Sequence, residues 1–176
     1  MTRTASVRTA AAALLLLASC HRSAPQIPAN QPEGDSGKRA MLHYNQERLQ
    51  EETDSIRAYL DTVSDPFTET DDGFWYRIDH PGEGPAIERG QTVRYAYSLE
   101  RLDGTVAEST AGKPAARMEV GRRQTAKGLD LAMPLLSRGA EARVLLPSRL
   151  AFGLRGRGDI AGWTPVLYRI RIIDTE

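Results

Sequence analysis

Few side chains in this sequence are of kinds that make or break bonds, so their spacing decides what chemistry is open to it. His21, His43 and His80 are far apart, and Cys20 is the only cysteine. Metal sites need several donors at short, regular intervals, so neither a metal nor another cofactor is expected. No phosphate-cradling glycine loop and no nucleophile with a matched base stands in the chain. The tripeptide Arg157-Gly158-Asp159 lies in a glycine-rich loop and reads as chance. What remains is non-covalent: aromatic residues such as Tyr97 and Tyr168, and the stretch MEVGRRQTAKGLDLAMPLLSRG, Met118 to Gly139. It begins as a strand, stops at Gly121 and turns into a short apolar helix. The question it poses is what that helix packs against and what its start could hold.

Cys20 has a different chemistry. Arg3 and Arg8 precede an apolar run, Ala10 to Leu17, that is too short to span a bilayer. This is the form of a secretory signal peptide. The ending Leu17-Ala18-Ser19-Cys20 resembles a bacterial lipobox. That resemblance implies cleavage before Cys20 and a lipid on its thiol. A lone cysteine in an exported chain has no internal partner. Residues 1–19 are therefore expected to be a signal peptide, and the mature chain a lipid-anchored protein of the bacterial cell envelope, facing the periplasm. Residues 20–38 are rich in Pro, Gly, Ser and Asn with Ile27 as the one large aliphatic. They are expected to be a disordered tether. The 23 basic and 23 acidic side chains balance, which argues against a nucleic-acid partner.

The elements that must position the aromatic residues follow from periodicity. In residues 39–63, Leu42, Leu49, Ile56 and Val63 recur at intervals of seven, widened by Met41, Tyr44, Tyr59 and Leu60. This predicts an amphipathic helix. It would pack on its own domain or self-associate as a coiled coil. Asn45, Gln46 and Thr53 near the seam favour the first. Pro66 and Gly73 then break the pattern, so helix and linker together span 39–72. From Phe74 the period becomes two. Phe74, Tyr76 and Ile78 alternate, as do Val93 to Leu99, Ala116 to Val120, Ala142 to Leu146, and Val166 to Ile172. These are antiparallel strands with one wet face. Only one helix, about Ala126 to Leu136, falls among them. The sheet must cover its apolar side, so the expected fold is α+β: a curved antiparallel sheet wrapped around one short helix, preceded by the amphipathic helix.

Four pieces, GFWYRIDHPGEGP, RGQTVRYAYSLERLDGTVAEST, MEVGRRQTAKGLDLAMPLLSRGAEARVLLPSRLAFG and IAGWTPVLYRIRII, carry a family resemblance in order and spacing. Residues 73–176 resemble the FKBP-type peptidyl-prolyl cis-trans isomerases over their full length. An anchored domain of this kind behind a helix is also similar to the gliding-motility-associated FKBP-like lipoproteins. The resemblance implies isomerisation of proline-containing polypeptides without a cofactor, and a role in folding envelope proteins. By position it assigns catalytic roles to Tyr97, Glu108, Ala126, Phe152 and Tyr168. Ala126 would act through its backbone N–H. Substrate contacts fall to Thr125, Leu129, Ile160 and Trp163. Several positions depart from the family: Phe152 for tyrosine, Glu108 for aspartate, Leu129 for the tryptophan of the pocket floor, and Ala107 and Ala116 for two phenylalanines. Trp75 or Trp163 could refill the space. These losses leave a second reading open, a non-catalytic chaperone or binding module of an envelope complex.

Overall fold

The computed structural model describes residues 36–176. The signal peptide, Cys20 and most of the tether lie outside the described residues. Met41 to Glu176 form one compact unit; Ser36 to Ala40 belong to a separate N-terminal unit and form the first residues of helix α1, Ser36–Thr62. The helix thus starts ahead of the expected residue 39. Among the described residues no helix is long and apolar enough to cross a membrane.

The sheet is built from β1 (Thr68–Glu69), β2 (Trp75–His80), β4 (Thr92–Arg101), β5 (Val106–Ser109), β6 (Ala116–Glu119), β8 (Glu141–Leu146) and β9 (Val166–Thr175). Its order is β1-β2-β8-β9-β4-β5, with β6 also paired to β4. Every pairing is antiparallel. A separate two-stranded ribbon joins β3 (Glu83–Ala86) to β7 (Ser137–Arg138). The long strands are the ones the period-two pattern identified. Of the short strands, β6 was signalled because its alternation runs on to Val120, whereas β1, β3, β5 and β7 carry no apolar alternation that sets them apart. In particular, part of the expected linker folds back as β1, setting Thr68 against Tyr76.

Helix α2, Lys127–Ala132, is one and a half turns long and passes into a tighter turn at Met133–Leu135, where Pro134 removes a backbone donor. It fills the inner face of the sheet. Leu129, Ala132 and Met133 pack there with Tyr95, Leu99, Met118, Val144, Leu146, Val166 and Tyr168. Fully burying an aliphatic side chain of this size contributes about 1.5–3 kcal/mol. The helix approaches β8 so closely that a Cβ on Gly128 would run into Leu146.

Alternation sends Leu145 and Leu167, which face each other across β8 and β9, to the outer face. There they meet Ile56 of α1, with Tyr59, Leu60, Phe67 and Trp75 around them. The helix therefore packs on its own domain through its second half. Leu42, Leu49, Met41 and Tyr44 of the heptad stripe stay exposed. One residue on this face escaped the sequence reading. Glu52 is 5% exposed, and its carboxylate accepts hydrogen bonds from the backbone N–H and the hydroxyl of Ser148. It lies between Leu49 and Ile56 at three- and four-residue spacing, on the buried side of the helix.

Candidate functional site

Strands β4, β5 and β9, the start of α2 and the loop after Leu150 bring most of the anticipated residues together. Tyr97 on β4 lies opposite Ile170, and Tyr168 on β9 lies between Leu99 and Val144. The Tyr97 and Tyr168 rings are 5.7 Å apart and tilted by 48°; Tyr95 adds a third ring 5.6 Å from Tyr97. Tilted packing at such separations is favourable for aromatic quadrupoles. Ala126 and Ile160 are buried in the same cluster, and Phe152 packs against it.

Residues 121–126 connect β6 to α2 and place Ala126. The carboxylate of Asp130, itself buried, accepts from the Gly121 N–H at 2.8 Å, tying the connection back onto the helix. Ala126 takes φ −58° and ψ 135°, and its carbonyl accepts from the N–H groups of Leu129 and Asp130. Its own N–H has no protein acceptor among the described residues. Beside it, the buried hydroxyl of Thr125 also has no partner. The Ala126 N–H is thus left outside the helix's own bonding, and the buried Thr125 hydroxyl beside it is a polar group whose missing bond costs free energy unless something fills it.

Leu129 is 1% exposed. It is a core residue beneath the cluster, and a tryptophan in its place would overpack that core. Tyr95, Met118 and Met133 belong to the same core, with Ala107 and Ala116 packed against it. Neither tryptophan refills the space of the smaller walls in the way expected: Trp75 belongs to the outer cluster with Ile56. Trp163 sits half-buried in the loop with a left-handed backbone, φ 60°, donating its N–H to the Gly153 carbonyl at 3.0 Å.

The charge around the rings was legible only in part. Glu108 on β5 accepts a hydrogen bond from the Tyr97 hydroxyl. Its other oxygen accepts from Arg157, which reaches across from the loop. The Arg157 guanidinium lies over the Phe152 ring, 4.4 Å from its centroid, a cation–π arrangement. Burial, together with the bond to Glu108, pushes the Tyr97 phenol up to about 12. Burial also raises Tyr95 and Tyr168. All three phenols therefore stay protonated at neutral pH. Sequence reasoning found Glu108 and Phe152 but missed Arg157 and Asp130. The only available signal for Arg157 was its place in a tight loop. A Cβ on Gly156, at φ 69°, would strike the Ile160 carbonyl, and one on Gly162 would strike that of Leu154. The loop closes on itself through the Arg157 and Ile160 backbones, which exchange hydrogen bonds of 2.8 and 2.9 Å.

Comparison with known proteins bears on this arrangement. A family model described as FKBP-type peptidyl-prolyl cis-trans isomerase matches residues 84–173. FK506-binding protein 4 of Emericella nidulans is 31% identical over 96 residues, covering 54% of this chain and 20% of that protein. Outer membrane protein MIP of Legionella longbeachae is 34% identical over 107 residues, covering 59% of this chain and 45% of that one. The chain thus spans less than half the length of these relatives. The crystal structure of FkpA from Escherichia coli superposes with a TM-score of 0.65 at 15% identity, covering 80% of this chain and 66% of that one, which establishes likeness of fold.

Proposed function

The chain belongs to the FKBP-type peptidyl-prolyl cis-trans isomerase family, and from that premise we propose that it binds proline-containing polypeptides over Tyr97, Phe152 and Tyr168 and rotates their prolyl bonds, assisting the folding of envelope proteins. A prolyl amide is planar because the nitrogen donates into the carbonyl, and rotation faces a barrier of about 18–20 kcal/mol. Twisting removes that donation and shrinks the carbonyl dipole. Low-polarity walls therefore favour the twisted amide over the planar one, which is what lowers the barrier. Aromatic rings supply such walls and need no nucleophile. The Ala126 N–H holds a substrate carbonyl, Ile160 closes one side, and Thr125 and Trp163 border the entry. Leu129 supports the floor from below.

The observation that supports the reading is the Ala126 N–H without a protein acceptor among the described residues, in the same apolar core as Tyr168, beside the unpartnered Thr125 hydroxyl. A second observation favours a binding module of low turnover. The Glu108–Arg157 pair brings full charges to the ring cluster, and charge favours the planar, more polar amide.

Exchange-detected isomerisation of a short Xaa-Pro peptide tests the two. Under the catalytic reading wild type exceeds the spontaneous rate, and Tyr97→Ala lowers kcat/KM by about tenfold, a loss of about 1.4 kcal/mol in transition-state binding. A wild-type rate equal to background leaves the binding module. The setting of the domain is part of the same proposal. Residues 1–19 are removed as a signal peptide. Cys20 is lipidated, and residues 20–35, ahead of α1, act as a tether. Residues 39–72 and 73–176 face the periplasm as helix-with-linker and FKBP-like domain. The exposed Met41, Leu42, Tyr44 and Leu49 give self-association through residues 39–63 an apolar surface.

A further inference from the structure

The chain as a whole is neutral, yet the two segments that border the aromatic cluster are not. Residues 122–127, leading into α2, contain Arg122, Arg123 and Lys127 and no acid. Arg122 is engaged by Glu119; Arg123 and Lys127 are exposed and share a cleft with Arg89 and Asp130. The loop from Leu154 to Ile160 contains Arg155 and Arg157 against the single acid Asp159. Arg101 adds a further cation at this edge, donating to the Asp159 carbonyl. Glu108 answers only one of these charges.

Arg157 is the member placed to act on a ligand. Its guanidinium is held on two sides, by Glu108 and by the Phe152 ring, and it remains 44% exposed. A guanidinium carries five N–H donors in a fixed fork. Glu108 engages one nitrogen, the Tyr97 hydroxyl also interacts with the guanidinium, and the exposed edge of the fork faces solvent. The neighbouring hydroxyls cannot compete for a ligand: that of Tyr97 is already bonded to Glu108, and Tyr95 and Tyr168 are buried. A fork fixed in orientation, with a solvent-facing edge and a basic surround, matches a carboxylate in both charge and geometry.

Resting on the proposed prolyl-peptide site, we infer that Arg157 is a specificity-determining residue that favours peptides carrying an acidic side chain next to the proline. The peptide's prolyl ring rests on the aromatic cluster while the flanking carboxylate meets the outward N–H groups of Arg157. A lysine at the same position meets the like charge of Arg157 instead, with Arg155 on the same loop.

The test compares two blocked tetrapeptides, Ala-Glu-Pro-Phe and Ala-Lys-Pro-Phe, on the full chain. Binding is read by calorimetry and isomerisation by exchange spectroscopy. The wild type should favour the Glu peptide about threefold to fivefold in Kd, the scale of a half-exposed ion pair. Arg157→Gln should reduce that ratio, Arg157→Lys should keep part of it, and Arg157→Glu should invert it. A matching ratio in Kd without catalysis supports the inference while removing the isomerase reading. The inference is overturned if neither peptide binds, if the wild type treats both alike, or if the ratio survives Arg157→Gln unchanged. Circular dichroism of each variant confirms that the exposed substitution leaves the fold intact.

Discussion

The two faces of the sheet are covered by helices that dock in opposite ways. On the inner face α2 is short, yet Gly128, Leu129, Asp130 and Ala132 are buried, and Leu129 and Ala132 join the apolar core of the sheet. On the outer face α1 runs for 27 residues but buries only Glu52 and Ile56 fully. The short helix is held by shape: Gly128 has no room for a Cβ, and Leu129 no room to expose itself. The long one is held by a small apolar cluster and one buried carboxylate. A helix can thus be fixed by many small dispersion contacts or by a few directional ones, and the two should fail differently.

The largest effect is expected on the inner face. Leu129→Ala removes a side chain that is 1% exposed, in a core with little freedom to collapse. Unfolding by denaturant should show a loss of about 2–5 kcal/mol. A loss under about 1 kcal/mol would mean that the inner helix is less tightly enclosed than its packing implies.

The outer face is probed by Glu52→Leu against Glu52→Gln. Leucine leaves the buried N–H and hydroxyl of Ser148 without an acceptor, at a cost of about 1–3 kcal/mol. Glutamine retains a carbonyl acceptor and should cost less. Equal losses in the two variants would show that packing, and not hydrogen bonding, docks α1. Hydrogen exchange at the Ser148 amide distinguishes them independently, with faster exchange expected for leucine alone.

The smallest effect is a titration. The Tyr97 phenol is raised from its ordinary value of 10.0 to about 12 by burial and by Glu108. Between these pH values the unfolded chain has lost the proton that the folded chain keeps, so the unfolded state binds fewer protons. Stability from this group is therefore complete below pH 10 and falls as pH rises toward 12. Absorbance at the phenolate band should show Tyr97 among the late-titrating tyrosines, and Glu108→Gln should bring it earlier.

How much of this was legible depends on the range of the interaction. The period-two runs from Val93 to Leu99 and from Val166 to Ile172 announce strands β4 and β9 because burial imposes alternation locally. The lone helix at Lys127–Ala132 was equally readable between Gly121 and Gly139. Glu52 was not, since its partner Ser148 is 96 residues away and a glutamate in an amphipathic helix ordinarily faces water. Arg157 was hidden for the same reason: its partner Glu108 is 49 residues away, and nothing local in a glycine-rich loop says which way an arginine points. The expected aromatic positions Tyr97 and Tyr168 do pack together, whereas the polar contacts around them depend on the folded register.

Ser148 opens the single turn that ends at Leu150, just ahead of Phe152 and the loop that carries Arg157. Glu52 grips the start of that turn through two bonds. The outer helix and the turn ahead of Phe152 thus share one carboxylate, so a change that loosens either is expected to loosen the other.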